Sequence, residues 1–177
     1  DEDGYGMRMM AERLPELVIA SSCSKNFGLY RERTGSITFI AETPEQADIV
    51  VSQAMSTARS IYSMPPAHGA LLVSMVLGDD QLRAHWQAEL ETTRLRIKSM
   101  RTLLCDSIQD NEAGLDFSHI KEQKGMFSFL GITSLQLERL RDEFGIYIVS
   151  STRINLAGVN SNNIDYLSQS MLRVLKP

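Results

Sequence analysis

Residues 21–35 read SSCSKNFGLYRERTG and directly follow the apolar run LVIA at 17–20. The apolar run predicts a buried strand, so the next segment is a turn that carries Lys25, several hydroxyls and two arginines. A lysine amine can form a Schiff base with a carbonyl compound, and hydroxyls together with an arginine can hold a phosphate dianion. The turn therefore indicates a site for an aldehyde that carries a phosphate. On charge alone, a solvated basic turn is the alternative.

The composition is that of an ordinary globular protein. The 177 residues are 43% hydrophobic and 23% charged, with a formal net charge of -4, which argues against a nucleic-acid surface. Two cysteines and three histidines match no metal-ligand spacing, and so few cysteines fit a reducing compartment. No apolar run approaches the roughly 20 residues that a membrane span needs. We expect no metal site, no nucleic-acid or membrane partner, and a cytoplasmic location.

The first half of the chain predicts alternating strands and helices. A helix should end at 14 before a proline, and apolar strands at 17–21 and 36–41 predict a sheet that is covered on both faces. Thr43, followed by a proline and by Gln46, forms a capping box that opens a helix. The small apolar residues at 67–77 predict a buried helix.

The second half predicts a long helix followed by a small α/β unit. An apolar stripe predicts a helix over about 80–111, long enough to cross from one domain to another. Thr133 forms a second capping box, and Gly145 should end that helix as its C′ residue. The predicted strands lie at about 125–131, 146–150 and 153–157, and a closing helix contains Ile164, Leu167, Met171 and Leu175. We place the domains at 1–85 and 86–177.

The motif S-x-SKNFGLY-x-ER-x-G at 22–35 resembles the pyridoxal-phosphate lysine segment of the class I aminotransferases. The aspartate aminotransferases are the most similar subgroup, and the aromatic amino acid aminotransferases come next. The resemblance implies that Lys25 is the catalytic Schiff-base lysine for pyridoxal 5'-phosphate. It also implies that Ser22 and Arg33 bind the cofactor's phosphate.

Three further segments carry residues with implied substrate contacts. By resemblance, Arg59 binds the side-chain carboxylate of a dicarboxylic substrate across a dimer interface, Phe127 covers the bound substrate, and Arg153 binds the α-carboxylate. Taken without the resemblance, Arg59 is a helix-end arginine, Phe127 a core aromatic residue and Arg153 a partner of a structural carboxylate. Thr152 stands where the family often has glycine.

The resemblance implies the C-terminal part of a pyridoxal-phosphate transferase fold, of class α/β. It would contain a remnant of the large cofactor-binding domain's sheet and a small α/β C-terminal domain, joined by a long helix. The implied activity moves an amino group between an amino acid, foremost aspartate or glutamate, and a 2-oxo acid, in a cytoplasmic homodimer.

The family's partner aspartate for the pyridine nitrogen and its glycine-containing phosphate loop precede the matched region. We therefore expect a C-terminal fragment of a longer enzyme. The alternatives are a fragment that is inactive by itself, an aromatic amino acid aminotransferase, or a related lyase.

Overall fold

The computed structural model describes residues 2–176, which form seven α-helices and four short strands. They fall into two units, Asp1–Trp86 and Gln87–Pro177. The predicted domain division, 1–85 and 86–177, differs from these units by one residue, and its assignment to two domains of an enzyme subunit stays a prediction. The elements are α1 (Tyr5–Arg13), β1 (Leu17–Ser22), β2 (Gly35–Ile40), α2 (Pro44–Tyr62), α3 (His68–Gly78), α4 (Asp80–Gln109), α5 (His119–Glu122), β3 (Phe127–Phe129), α6 (Ser134–Phe144), β4 (Arg153–Asn155), a 3-10 turn (Leu156–Gly158) and α7 (Ile164–Val174).

The first unit consists of the β1–β2 ribbon with α1, α2 and α3. The two strands pair antiparallel, from Leu17 opposite Ile40 to Ser22 opposite Gly35. The capping box that was predicted before α2 is confirmed: the Thr43 hydroxyl accepts from the Gln46 amide, and the Gln46 side chain accepts from the Thr43 amide. The ribbon and its loop bring residues 22 and 35 together, so the Lys25 turn is closed at its base.

Two predictions about the first unit are wrong for the described residues. The sheet is not covered on both faces, because Val18 and Ile37 are 59% and 57% exposed. The helix predicted at 67–77 forms, but Leu71 and Met75 on α3 are largely exposed and only Gly69 in it is buried. Apolar composition indicates that a face needs a partner, but burial depends on which other elements pack against that face.

The second unit contains the hydrophobic core. The closing helix α7 presents one apolar face to this core, while α6 begins at the predicted Thr133 capping box and ends at Gly145 in a left-handed conformation, φ 63°. The fully buried large side chains come from α4, α5, α6, α7 and the strand region; they are Leu104, Ile108, Ile120, Leu130, Leu140, Leu156, Met171, Val174 and Leu175. This core supports the β3–β4 pair from one side.

The strand predicted at 146–150 does not form. Ile146 and Ile148 are partly buried against the core while Tyr147 and Val149 are exposed, so the alternation of a strand is present. The segment nevertheless lacks a partner strand among residues 2–176, and a strand is defined by its ladder of hydrogen bonds. The predicted strands at 125–131 and 153–157 shorten to three residues each, and the second continues as the 3-10 turn.

Among the described residues, none of the helices combines the length and the apolar character that crossing a membrane requires. The same residues contain no group of three or more His, Cys, Asp or Glu side chains placed to hold a metal ion.

Candidate active site

The Lys25 turn connects β1 to β2 and is held by its own backbone. The Cys23 amide donates to the Thr34 carbonyl at 3.0 Å, and the Phe27 amide donates to the Cys23 carbonyl at 3.3 Å. Gly28 has φ 67°, a left-handed conformation in which a side chain would be strained. The turn therefore has a defined conformation in which Lys25 follows the buried residue Ser24 directly.

Two distant residues of the same unit hold this turn from outside. The indole of Trp86 donates to the Asn26 carbonyl at 2.8 Å and stacks on the ring of Phe27, with centroids 4.6 Å apart. On α3, Gly69 is buried against the turn, since a Cβ there would lie 1.9 Å from Thr34 Oγ1. Sequence reasoning placed Trp86 in an apolar stripe and gave Gly69 no role, because neither contact has a local signal.

Two hydroxyls lie together at the start of the turn. Ser22 Oγ donates to Ser24 Oγ at 3.1 Å and accepts from the Ser24 amide at 3.2 Å. Ser24 was not among the predicted site residues, although it occupies the third position of the quoted motif. A pair of hydroxyls at this spacing can donate to two oxygens of one phosphate.

Lys25 and Arg33 both contact Tyr30. The Lys25 ammonium lies 4.0 Å from the centroid of the Tyr30 ring, a cation–π geometry, and Arg33 Nη1 donates to the Tyr30 carbonyl at 2.9 Å. Arg33 itself has φ 53°, which few residues other than glycine adopt. The turn therefore presents an amine, two hydroxyls and a guanidinium from one closed loop, and both Lys25 and Arg33 side chains are exposed.

Arg59 lies in the last turn of α2, also in the first unit. Its side chain is exposed, and within residues 2–176 its guanidinium has no carboxylate partner. The helix ends at Tyr62, its C-cap residue Ser63 has φ 66°, and Met64 beyond it is 81% exposed. A cation at this end of a helix is favourable for the macrodipole, and its planar fork remains available to a carboxylate from elsewhere.

Phe127 and Arg153 lie on one face of the β3–β4 pair in the second unit. Phe127 pairs with Asn155 and Phe129 with Arg153, so the side chains of all four residues project from the face opposite to buried Ser128 and Ile154. The Arg153 guanidinium lies over the Phe127 ring, 4.8 Å from its centroid. Phe127 is half-buried and lies outside the buried core cluster, and Arg153 is exposed beside it.

A cleft of about 480 Å³ opens beside this pair. Among residues 2–176, Arg153 is the only positively charged one in its lining, and Asn155 and Asn163 add amides. The rest of the lining is mainly apolar or aromatic: Phe127, Ile146, Tyr147, Ile148, Val149, Ile154, Val159, Tyr166 and Leu167. A single cation in an apolar cleft suits a ligand with one carboxylate and an apolar body.

The turn before β4 orients Arg153. Thr152 has φ 61°, an unusual value for a β-branched residue, and its amide donates to the Val149 carbonyl at 2.8 Å. Its carbonyl accepts from Leu130 and its hydroxyl accepts from the Gly131 amide at 3.2 Å. This left-handed conformation is the physical reason for a glycine at such a position, and the hydroxyl contact offsets part of the strain here.

The predicted site residues thus fall into two sets. Ser22, Lys25, Arg33 and Arg59 belong to the first unit, and Phe127 and Arg153 belong to the second. Within the first set, the Lys25 turn joins Ser22, Lys25 and Arg33 through Ser24 and Tyr30. Within the second, Phe127 and Arg153 contact each other directly.

Comparison with known proteins relates both sets to one family. The family model for aminotransferase class I and II matches residues 2–171. The chain is 50% identical over 175 residues to the aspartate aminotransferase of Haemophilus influenzae, covering 99% of this chain and 44% of the relative. It is 42% identical over 174 residues to the aromatic-amino-acid aminotransferase of Pseudomonas aeruginosa, covering 98% of this chain and 44% of that relative.

Solved structures agree with this relationship. A psychrophilic aromatic amino acids aminotransferase from Psychrobacter sp. B6, cocrystallised with aspartic acid, superimposes with a TM-score of 0.93 at 43% identity, covering all of this chain and 44% of the other. An aromatic-amino-acid aminotransferase from Burkholderia pseudomallei, covalently bound to pyridoxal phosphate, gives 0.92 at 41% identity, covering 99% and 44%. The chain spans 44% of the length of these curated relatives, corresponding to their C-terminal portion. It belongs to the class I and II aminotransferase family.

Proposed function

We propose that this chain acts as the C-terminal portion of a pyridoxal-phosphate-dependent aminotransferase subunit, called the parent enzyme below. The parent enzyme would move an amino group between an amino acid, foremost aspartate or glutamate, and a 2-oxo acid. The observation that carries the proposal is the Lys25 turn, in which an amine, a hydroxyl pair and a guanidinium are held in one closed loop. The relatives named as aspartate aminotransferases support the same activity.

The donor set of this turn fits the cofactor. The Lys25 amine would bond to its aldehyde, while the hydroxyls of Ser22 and Ser24 and the guanidinium of Arg33 would hold its phosphate. The hydroxyl oxygens, 3.1 Å apart, match two acceptors on one phosphate group. When bound, the cofactor supplies the electron sink for the negative charge left on the substrate Cα.

The chain's own residues then have separate tasks. Lys25 would take the proton from the substrate Cα and deliver it to C4′ of the cofactor, which is general acid–base catalysis by an amine. Arg153 binds the α-carboxylate through its fork, and the Phe127 ring on that guanidinium excludes water and strengthens the contact. Such positioning of Cα–H contributes on the order of several kcal/mol to lowering the barrier.

Arg59 supports the preference for dicarboxylic substrates. Its exposed guanidinium at the end of α2 is suited to a second carboxylate. In a homodimer, which we also propose, Arg59 would serve the site of the partner subunit. We further propose a cytoplasmic location, and a division into large and small domains at 85/86.

Aromatic amino acids are a second candidate substrate class. The cleft next to Arg153 is lined mainly by apolar and aromatic side chains, and one relative at 42% identity is named an aromatic-amino-acid aminotransferase. Comparing kcat/KM of the parent enzyme for aspartate and phenylalanine decides between the two classes.

Substitution of Lys25 tests the proposed function. The parent enzyme is incubated with pyridoxal phosphate and reduced with borohydride, and the modified peptide is identified by mass spectrometry. We expect a single cofactor adduct on Lys25 and its loss in Lys25→Ala, with loss of aspartate–2-oxoglutarate transamination. Lys98→Ala, which removes an exposed lysine of α4, should change neither result.

Undiminished turnover in Lys25→Ala would exclude the mechanism. The same adduct assay on the 177-residue chain tests the alternative of an inactive fragment: a stoichiometric adduct after reduction, together with transaminase turnover by the unreduced chain with pyridoxal phosphate, would exclude that alternative.

A further inference from the structure

Arg101, in the last third of α4, is a buried arginine that has no acidic partner within residues 2–176. Only 3% of the surface of Arg101 is exposed. Its guanidinium donates to the carbonyls of Ile120 at 3.1 Å and Gly125 at 2.6 Å, and to the hydroxyl of Ser128. None of the ion pairs formed by residues 2–176 includes Arg101.

Folding stability alone does not favour a buried guanidinium with three uncharged acceptors. Burial lowers the pKa of Arg101, although an arginine still stays charged near neutral pH. A buried ionic group is often replaced by apolar residues without loss of stability, so its main effect is to demand a particular arrangement of hydrogen-bond acceptors. Arg101 therefore specifies where its three acceptors lie.

Two of those acceptors, on Gly125 and Ser128, precede or belong to β3, and the third, the Ile120 carbonyl, belongs to α5. Ser128 is the central residue of that strand, between Phe127 and Phe129, and pairs with Ile154 of β4. Gly125 lies two residues before Phe127, with φ 82°, where the chain turns into the strand. Arg101 thus contacts the buried side of the strand pair whose opposite side presents Phe127 and Arg153 to the cleft.

We propose that Arg101 is a positioning residue that fixes the depth and register of β3, and so holds the Phe127 ring against the guanidinium of Arg153. The proposal rests on the proposed function, because its consequence is carboxylate binding at Arg153. Ser128 transmits the position, since its hydroxyl contacts Arg101 while its neighbour Phe127 contacts Arg153. A displacement of Phe127 and Arg153 by about 1 Å, caused by a substitution away from the reacting atoms, is enough to impair binding and turnover strongly.

The experiment uses the parent enzyme with Arg101→Met, Arg101→Lys and Ser128→Ala. Leu140→Ala is the control, because it removes a fully buried side chain of α6 in the same core that takes part in none of the Arg101 hydrogen bonds. The measurements are the melting temperature, the visible absorbance of pyridoxal phosphate bound at Lys25, the dissociation constant of succinate as an unreactive dicarboxylate, and kcat and KM for aspartate.

We expect Arg101→Met to weaken succinate binding by about tenfold or more and to raise KM, with the cofactor absorbance at Lys25 preserved. Ser128→Ala should also weaken succinate binding and raise KM, but by less. Arg101→Lys should bind succinate more tightly than Arg101→Met and less tightly than the wild type. Leu140→Ala should lower the melting temperature and leave succinate affinity unchanged.

Two outcomes overturn the proposal. One is a succinate affinity in Arg101→Met equal to that of the wild type. If Arg101→Met does not yield folded enzyme, unchanged succinate affinity in both Arg101→Lys and Ser128→Ala has the same meaning. The other is an equal loss of affinity in Leu140→Ala, which would make the effect one of general stability. If the wild-type parent enzyme is active, either of these results rejects the role of Arg101 and leaves the proposed function intact. A wild-type enzyme that neither binds pyridoxal phosphate nor transaminates overturns the proposed function itself.

Discussion

Replacing Gly69 with alanine is expected to displace the Lys25 turn, although residue 69 lies 44 positions further along the chain. The new Cβ would lie 1.9 Å from Thr34 Oγ1 and 2.7 Å from Glu32 Cβ, whereas ordinary contact begins at 3.4 Å. Rotation of the Thr34 side chain can relieve the first contact, but the second still requires α3 or the turn to move by about 0.7 Å, the difference between 2.7 and 3.4 Å. Over-packing of this kind costs roughly 1–3 kcal/mol.

The matched control is Gly78→Ala, at the last residue of the same helix. Nothing lies within 4 Å of a Cβ built at Gly78, so this substitution should be neutral or slightly stabilising. Both variants make the same chemical change in α3. Only Gly69→Ala introduces a collision with the turn.

Fluorescence of Trp86 provides the assay. It is the single tryptophan of the sequence and stacks on Phe27 within the turn, so its emission reports on that contact. We expect Gly69→Ala to lower the denaturant midpoint of the Trp86 transition, to change the emission of the native chain and to reduce cofactor attachment at Lys25. If Gly69→Ala and Gly78→Ala give the same midpoint and emission, the close approach of α3 to the turn is refuted.

The further predictions concern substrate binding and a buried thiol. In the parent enzyme, Arg153→Gln should reduce kcat/KM for every amino acid by about 100-fold or more. Each good charge-assisted contact contributes roughly 1.5–3 kcal/mol, and in the proposed site Arg153 would make a two-point contact with the carboxylate that all substrates share. Arg59→Gln should reduce it for aspartate and not for phenylalanine; equal effects on both substrates would contradict the assignment. Burial raises the pKa of the Cys105 thiol, so the folded chain keeps a proton that the unfolded chain loses at high pH, and the free energy of unfolding should fall as the pH rises above about 8.5. Timed iodoacetamide labelling followed by mass spectrometry should show Cys23 reacting before Cys105; the reverse order would contradict this.

Local features were predictable from the sequence because their interactions span only a few residues. The two capping boxes, at Thr43 and Thr133, and the left-handed end of α6 at Gly145 all form as predicted. The order of helices and the long helix α4 also follow the sequence pattern. Their hydrogen bonds join residues three to five positions apart, so local side chains suffice to specify them.

The strand predicted at 146–150 is a feature that local sequence does not specify. Its alternating burial is correct, since Ile146 and Ile148 face the core. A strand also requires a partner backbone, which no local pattern of one segment can supply. The exposed apolar side chains of α3, such as Met75, were predicted to be buried for a related reason: a sequence shows what a face needs and not what covers it.

The sequence by itself determined the chemistry of the candidate site, because the motif at 22–35 brings Ser22, Lys25 and Arg33 within one turn. Only the tertiary structure showed what holds that turn, namely Trp86 and the missing side chain of Gly69, and what holds the strand beside Arg153, namely the buried Arg101. The physical reason is the distance along the chain. Reactive groups can be read from neighbouring residues, whereas their positions depend on contacts between segments 19 to 60 residues apart.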